Sequence, residues 1–318
     1  MIRLFYINKQ GRLTWEKGPG SLQPEGCDRI VWVDLQGASA QEKAMVEQQF
    51  GVELFTRQEA AEIESSSRFF EDEDYTEGNN TFILYANHTI VTDQVSFILQ
   101  KGVLFTLRDA DLRSFALTVK RLKSLRSPRG IDGIFLLLTV IEFQIDLDAD
   151  FIEYSMRLTT DISRKLTKER SFKEQVLIDI TELQESTIQA RESIVDKQRL
   201  VSALVKSRNI DADDKERLRI IMKDIGSILQ HTQFNFERLE YLQNTFLGLV
   251  NIEQNKVIKI FTVVTVVFMP PTLIASIYGM NFRHMPELQW RGGYAFALAL
   301  MVLASLLFLW IFKRKRWL

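Results

Sequence analysis

Two stretches near the C-terminal end of the sequence, 260–278 and 292–312, run for 19 and 21 residues without a single charge. Each is long enough to cross a bilayer core, which takes about 20 apolar residues. A buried hairpin in a soluble core is the competing explanation, but the flanking charges follow the membrane pattern. Lys256 and Lys259 precede the first stretch and Lys313, Arg314, Lys315 and Arg316 follow the second, whereas the segment between them holds only Arg283 and Arg291. That asymmetry places both chain ends in the cytoplasm. Trp290, Tyr294, Trp310 and Trp317 fall near the expected interfaces, where amphipathic aromatics belong.

The rest of the chain has a different character. Of the 40 basic and 41 acidic residues, all but eight bases and one acid (Glu287) lie at or before Asn255, which leaves that part with a net charge of −8. Residues 1–7 read as a first strand, followed by strands at 30–35, 81–86, 94–100 and 103–108 and short helices at 40–50 and 56–65; the strands are brief and rich in β-branched and aromatic residues. Residues 1–110 therefore form an α/β domain. Helices follow over 131–165 and 171–207, with no proline between Pro128 and Pro270. In the next helix Leu218, Met222, Ile225, Leu229, Thr232, Phe236, Leu239, Gln243, Phe246 and Val250 alternate at three- and four-residue spacing, a coiled-coil-like seam suited to oligomerisation. Asp211 or Asp213 can cap its start. Nothing breaks this pattern before the first apolar stretch, so one helix from 214 to 277 would be roughly 95 Å long. A stalk entering a membrane needs such a helix, and the organisation is 1–110 α/β domain, 111–255 helices and stalk, and 256–318 membrane domain, with spans at about 257–278 and 292–312 and an outer loop at 279–291.

The first span carries a polar stripe. Asn255, Thr262, Thr265, Met269, Thr272 and Ser276 share one helical face, while Val, Ile, Phe and Leu occupy the other. Hydroxyls in a span often bond to a neighbouring helix or to their own backbone. The alternative is a water-lined passage, and two spans per chain can enclose one only as a symmetric oligomer. Pro270 and Pro271 remove backbone donors in mid-span and allow a bend.

Beyond this stripe stands Tyr278-Gly279-Met280-Asn281-Phe282, then MPELQW; with VNIEQNKVIKIFTVVTVVFMPPTLIAS before it and KRKRWL after it, this resembles the CorA family of magnesium transporters. The likeness is strongest over 245–318, with a fainter match at FGVELFTRQEAAEIESSSRFFEDED. The resemblance implies a funnel-shaped homopentamer in a bacterial inner membrane, with the α/β domain and stalk in the cytoplasm. It implies that Gly279, Met280 and Asn281 form the outer selectivity ring and that Asn255, Thr262, Thr265, Met269 and Thr272 line the pore, with Ile258 and Phe261 at hydrophobic constrictions. Mg2+ is then substrate and regulatory ligand rather than cofactor, with Co2+ and Ni2+ as further candidate cargo. The matching positions for a regulatory cytoplasmic Mg2+ are Glu62 and Asp224; the family more often has an acidic pair at the first of these, where this chain has Ala61. Arg283 and His284 stand where acids often follow the triplet, leaving Glu287 as the acid of the outer loop.

Two other functions compete: a proton-coupled Zn2+ transporter of the same superfamily, and a non-conducting, membrane-anchored coiled-coil scaffold. No nucleophile–base set and no phosphate-binding Gly-rich loop argues for an enzyme, and the net charge of −1 gives no footprint for nucleic acid. The expected partners are further copies of the chain, divalent ions and lipid. Cys27, His88 and His231 read as incidental, and 71–74 (Glu-Asp-Glu-Asp) as a solvated loop.

Overall fold

A computed structural model describes residues 1–318 except 23, 56–68, 74, 87–88, 126–129, 169–172, 282, 284 and 316–318. The expected helix at 56–65, Glu62, His88, His284 and Trp317 lie outside the described residues. The chain forms two compact units, Met1–Gln243 and Asn244–Leu318.

The first unit is built on a seven-stranded sheet: β1 (Ile2–Asn8), β2 (Leu13–Lys17), β3 (Cys27–Gln36), β4 (Phe69–Asp72), β5 (Tyr75–Ala86), β6 (Thr89–Gln100) and β7 (Val103–Arg108), in the order β2-β1-β3-β7-β6-β5-β4. All neighbours are antiparallel except β3 and β7. The first helix, α1 (Ala40–Phe50), starts with a capping box between Ser39 and Glu42 and ends at Gly51, whose φ of 62° suits a residue without a side chain. It shares one core with Leu4, Val33, Leu35, Ile98 and Phe105. On the other side of the sheet Phe5, Trp32, Phe97 and Leu104 meet α2 (Arg113–Ser124), α3 (Gly133–Thr167) and α4 (Glu174–Lys206). Phe5 stacks on Trp32 at 4.6 Å between ring centroids, and Trp32 meets Phe115 of α2 at 5.8 Å. Gly133 is required by a close approach: a Cβ there would stand 2.8 Å from the Leu104 nitrogen.

Charged groups buried between these layers are paired. Lys197 of α4 and Asp148 of α3 are both fully buried, 3.1 Å apart, and the ammonium also donates to the Thr81 carbonyl at 3.0 Å and to Ser193 Oγ at 2.6 Å. Burial pushes the Asp148 carboxyl up and the Lys197 ammonium down, and each partner pulls the other back. Asp34 of β3 accepts hydrogen bonds from Arg108, Arg3 and Thr106.

Residues 71–74 do not all form the solvated loop expected of them. Phe69–Asp72 is an edge strand, and Glu71 Oε1 accepts hydrogen bonds from Ser207 Oγ at 2.5 Å, from the Arg208 amide at 2.9 Å and from the Asn209 amide at 3.2 Å. Burial pushes its carboxyl up, but these donors outweigh burial and hold it below the ordinary range. The acid therefore fixes the turn after α4.

The last helix to begin in this unit, α5 (Ala212–Tyr278), is continuous over 67 residues. Asp211 makes its cap, accepting from the Asp214 amide at 2.8 Å. Its buried seam is Leu218, Ile221, Ile225, Ile228, Thr232, Asn235, Leu239 and Leu242. Every second position agrees with the sequence reading, but the alternate ones sit one residue earlier, at 221, 228, 235 and 242. Asn235 is the one of these four that apolarity would not select. A buried amide looks wrong for a seam, yet its Nδ2 donates to Ser155 Oγ at 2.7 Å and its Oδ1 accepts from Thr159 Oγ1 at 2.9 Å, both on α3. Arg217 likewise bonds Glu142 and Thr139. The seam in this unit is thus spent on the chain's own helices and does not supply the oligomer contact expected of it.

Candidate functional site

The second unit holds the end of α5, the outer loop and α6 (Gly293–Arg314). These two helices are long and apolar enough to cross a membrane, and the most apolar stretch of the first has no buried residue. Soluble cores do not leave such surface open; lipid or further copies of the chain must cover it.

The packing between the two spans sorts the faces of the first. Val263, Val267, Pro270, Pro271, Ile274 and Tyr278 are half-buried, whereas Thr262, Thr265, Met269, Thr272 and Ser276 are exposed. At 100° per residue the centres of these two stripes lie about 170° apart around the helix. The second span therefore sits behind the first and leaves the hydroxyl-bearing face open. Asn255, Ile258 and Phe261 are exposed too, the last two at 61% and 68%.

Each threonine of the stripe returns its proton to its own helix. Thr262 donates to the Ile258 carbonyl at 2.8 Å, Thr265 to Phe261 at 2.9 Å and Thr272 to Phe268 at 2.8 Å. With the proton committed, the hydroxyl oxygen presents lone pairs outward, so the face offers acceptors rather than donors. An acceptor face suits a cation or the waters around one.

Mid-span, Pro271 has no N–H for the Val267 carbonyl four residues back. Ser305 of α6 answers that carbonyl: its Oγ stands 3.1 Å from Val267 O and 3.0 Å from Met301 O and shares its proton between them. Serine in the second span was not singled out from the sequence. A hydroxyl in one span facing a proline in the other is the signal that could have found it.

At the outer end the Gly279 amide still bonds the Ala275 carbonyl at 2.9 Å, and the Met280 amide bonds Ile277 at 3.3 Å. Gly279, Met280 and Asn281 then emerge exposed. Gly279 is confined, since a Cβ there would lie 3.1 Å from the Ala275 carbonyl oxygen. Glu287 sits in a short helical turn, Pro286–Gln289, ahead of α6. Arg314 lies over the Trp310 ring at 5.3 Å, at the other end of the second span.

Asp224 lies in the first unit, exposed on α5. It acts electrostatically on Asp146 of α3. Partial desolvation, then Glu142, Asp150 and Asp224, raise the Asp146 carboxyl above its ordinary value. Sequence reasoning missed Asp146, whose placement beside Asp224 brings together two helix positions 78 residues apart in sequence. Among the described residues no group of three or more His, Cys, Asp or Glu is gathered closely enough to hold a metal within one chain.

The model of the family described as CorA-like Mg2+ transporter protein matches residues 28–314. The chain belongs to the CorA family. A magnesium transport protein CorA of Wolinella succinogenes is 36% identical over 324 residues, covering 100% of both chains. One of Salmonella typhimurium is 39% identical over 293 residues, 91% of this chain and 92% of the relative. The solved CorA magnesium transporter of Methanocaldococcus jannaschii superposes with a TM-score of 0.82 at 20% identity, over 100% of this chain and 99% of that one. That likeness fixes the fold: an N-terminal α/β domain, a long helix and two C-terminal apolar helices. As a CorA protein with two such helices, the chain is an integral membrane protein.

Proposed function

We propose that the chain is one subunit of a homopentamer that carries Mg2+ into the cytoplasm down its electrochemical gradient. The observation that carries this reading is the open, acceptor-bearing face of the first span, which lies away from the second span and leads to Gly279-Met280-Asn281. Five such faces turned inward make a wet axis; turned outward they would set hydroxyl-bearing surface against lipid.

Mg2+ holds octahedral oxygen ligands and sheds water reluctantly. A ring of Asn281 carboxamide oxygens and Gly279 carbonyls grips it through its hydration shell, with Met280 setting the spacing between them. Neutral dipoles bind weakly enough to release the ion. Asn255, Thr262, Thr265, Met269 and Thr272 line the path below, and Ile258 and Phe261 narrow it. The membrane potential supplies about 4.6 kcal/mol per 100 mV for a divalent ion. Both termini and the α/β domain face the cytoplasm across the bacterial inner membrane, and the working division is 1–110, 111–255 and 256–318. Co2+ and Ni2+, with similar hydrated shells, are further cargo.

Cytoplasmic Mg2+ closes the channel by bridging neighbouring subunits, with Glu62 and Asp224 as the contributing acids. The repulsion between Asp224 and Asp146 supports this, because carboxylates that repel one another are relieved by a hard divalent ion. Zn2+ coupled to protons is less supported, since the full-length relatives are named for magnesium. The test is uptake into proteoliposomes. Mg2+ entry driven by an inside-negative potential, unaffected by a pH gradient and abolished in Asn281→Ala, is expected; Zn2+ entry that needs the pH gradient, without Mg2+ entry, would overturn the reading.

A further inference from the structure

Two glycines stand side by side where the outer loop meets the second span, and only one of them is demanded by space. A Cβ on Gly292 would meet nothing within 4 Å. A Cβ on Gly293 would stand 2.2 Å from the Glu287 carbonyl oxygen and 3.3 Å from its carbonyl carbon. Neither is the yielding tip of a side chain, so any larger residue must push the loop backbone away. Other contacts pin the loop at the same place. The Trp290 amide donates to the Glu287 carbonyl at 3.3 Å, and the Gly293 amide donates to the Trp290 carbonyl at 3.1 Å. The Trp290 ring meets Phe296 of α6 edge-on at 6.0 Å.

We infer that Gly293 is a positioning residue for transport: it lets the turn carrying Glu287 seat directly on the end of the second span, and so fixes where the loop's carboxylate stands. The inference rests on the transport reading above and goes beyond it. Glu287 is the one acid beyond Asn255 in the sequence. In a symmetric oligomer its copies form a ring that concentrates cations, and the strength of that field depends on where the ring is held. Gly293 touches neither ion nor pore; it acts through Glu287.

The test is a cycle of four proteins in liposomes: wild type, Gly293→Ala, Glu287→Gln and the double variant, each assayed for Mg2+ uptake against Mg2+ concentration. Gly293→Ala is expected to raise the half-saturating concentration about three- to tenfold at low ionic strength, with maximal rate preserved and the effect shrinking as salt screens the ring. In the Glu287→Gln background the same substitution should leave half-saturation unmoved. Phe296→Leu, which loosens the Trp290 contact without inserting an atom, should show the same dependence on Glu287 in milder form, and Gly292→Ala should behave as wild type. Equal shifts in both backgrounds, or a fall in maximal rate alone, would overturn the inference while leaving transport intact. Wild type without Mg2+ flux would instead sink the transport reading. Hydrogen exchange over 286–296 then decides the geometry by itself: faster exchange in Gly293→Ala but not Gly292→Ala supports it, and unchanged exchange refutes it.

Discussion

Removing the Ser305 hydroxyl tests how the membrane domain tolerates two prolines in mid-span. Pro271 leaves the Val267 carbonyl without its helical donor, and no water is available in hydrocarbon to replace it. Ser305 Oγ, 3.1 Å away, is the substitute. Interhelical hydrogen bonds in membranes average about 0.6 kcal/mol and reach about 1.7 kcal/mol. Because the Ser305 proton is shared with Met301, Ser305→Ala should cost about 1 kcal/mol per subunit, a roughly fivefold shift in the unfolding equilibrium. The distinguishing step is the Pro271→Ala background. That substitution restores an N–H to the Val267 carbonyl, so there Ser305→Ala should cost no more than about 0.3 kcal/mol. Reversible unfolding of the four proteins in bicelles measures both numbers. Equal costs in the two backgrounds would refute the claim that Ser305 serves the proline break.

Three further outcomes follow from groups in the first unit. Lys197→Met leaves Asp148 buried and unpaired and should destabilise the unit by about 3–5 kcal/mol, whereas Lys197→Met with Asp148→Leu should recover most of that in thermal unfolding. Asp146 has a folded carboxyl pKa raised above its unfolded value. Its ionisation therefore favours the unfolded chain, and the penalty appears as pH rises through the ordinary carboxylate range. Asp146→Asn should raise Tm at pH 7 and give no gain once pH falls below that range, where the group is protonated in both the folded and the unfolded chain; a gain that persists in acid would contradict the assignment. Glu71→Gln trades a carboxylate that accepts from Ser207, Arg208 and Asn209 for a weaker neutral acceptor. It should lower stability by about 1 kcal/mol at neutral pH, with the loss fading in acid as wild-type Glu71 protonates, since its folded pKa is depressed.

Much of this architecture was legible in the residues. Uncharged runs bracketed by cations mark the spans because lipid admits little else. Val103–Arg108 and Ala40–Phe50 fall where their patterns place them, since each has a clear period and turn residues at its ends. Strands β2 and β4 were missed because they are short, half-exposed edges whose sequences, LTWEK and FFED, lack a buried face to read. The seam of α5 was misread at alternate positions: Ile221 and Met222, like Ile228 and Leu229, are equally apolar, and at 235 apolarity favours Phe236 over an amide that only its tertiary partners satisfy. The hydroxyl stripe was legible as a stripe. Its orientation was not: which side the second span covers depends on a helix 30 residues later. Ser305, Gly293 and Asp146 act through such long-range juxtapositions and leave no local pattern.

The claim on which the rest depends is that the face bearing Thr262, Thr265, Met269 and Thr272 borders water within the membrane. Single cysteines placed along the first span, in a Cys27→Ser background, measure this directly through reaction with a membrane-impermeant thiol reagent in the assembled protein. Thr265→Cys and Met269→Cys should react, and Mg2+ should slow them, while Val263→Cys and Ile274→Cys should stay protected. Reaction at 263 and 274 with protection at 265 and 269 would contradict the account.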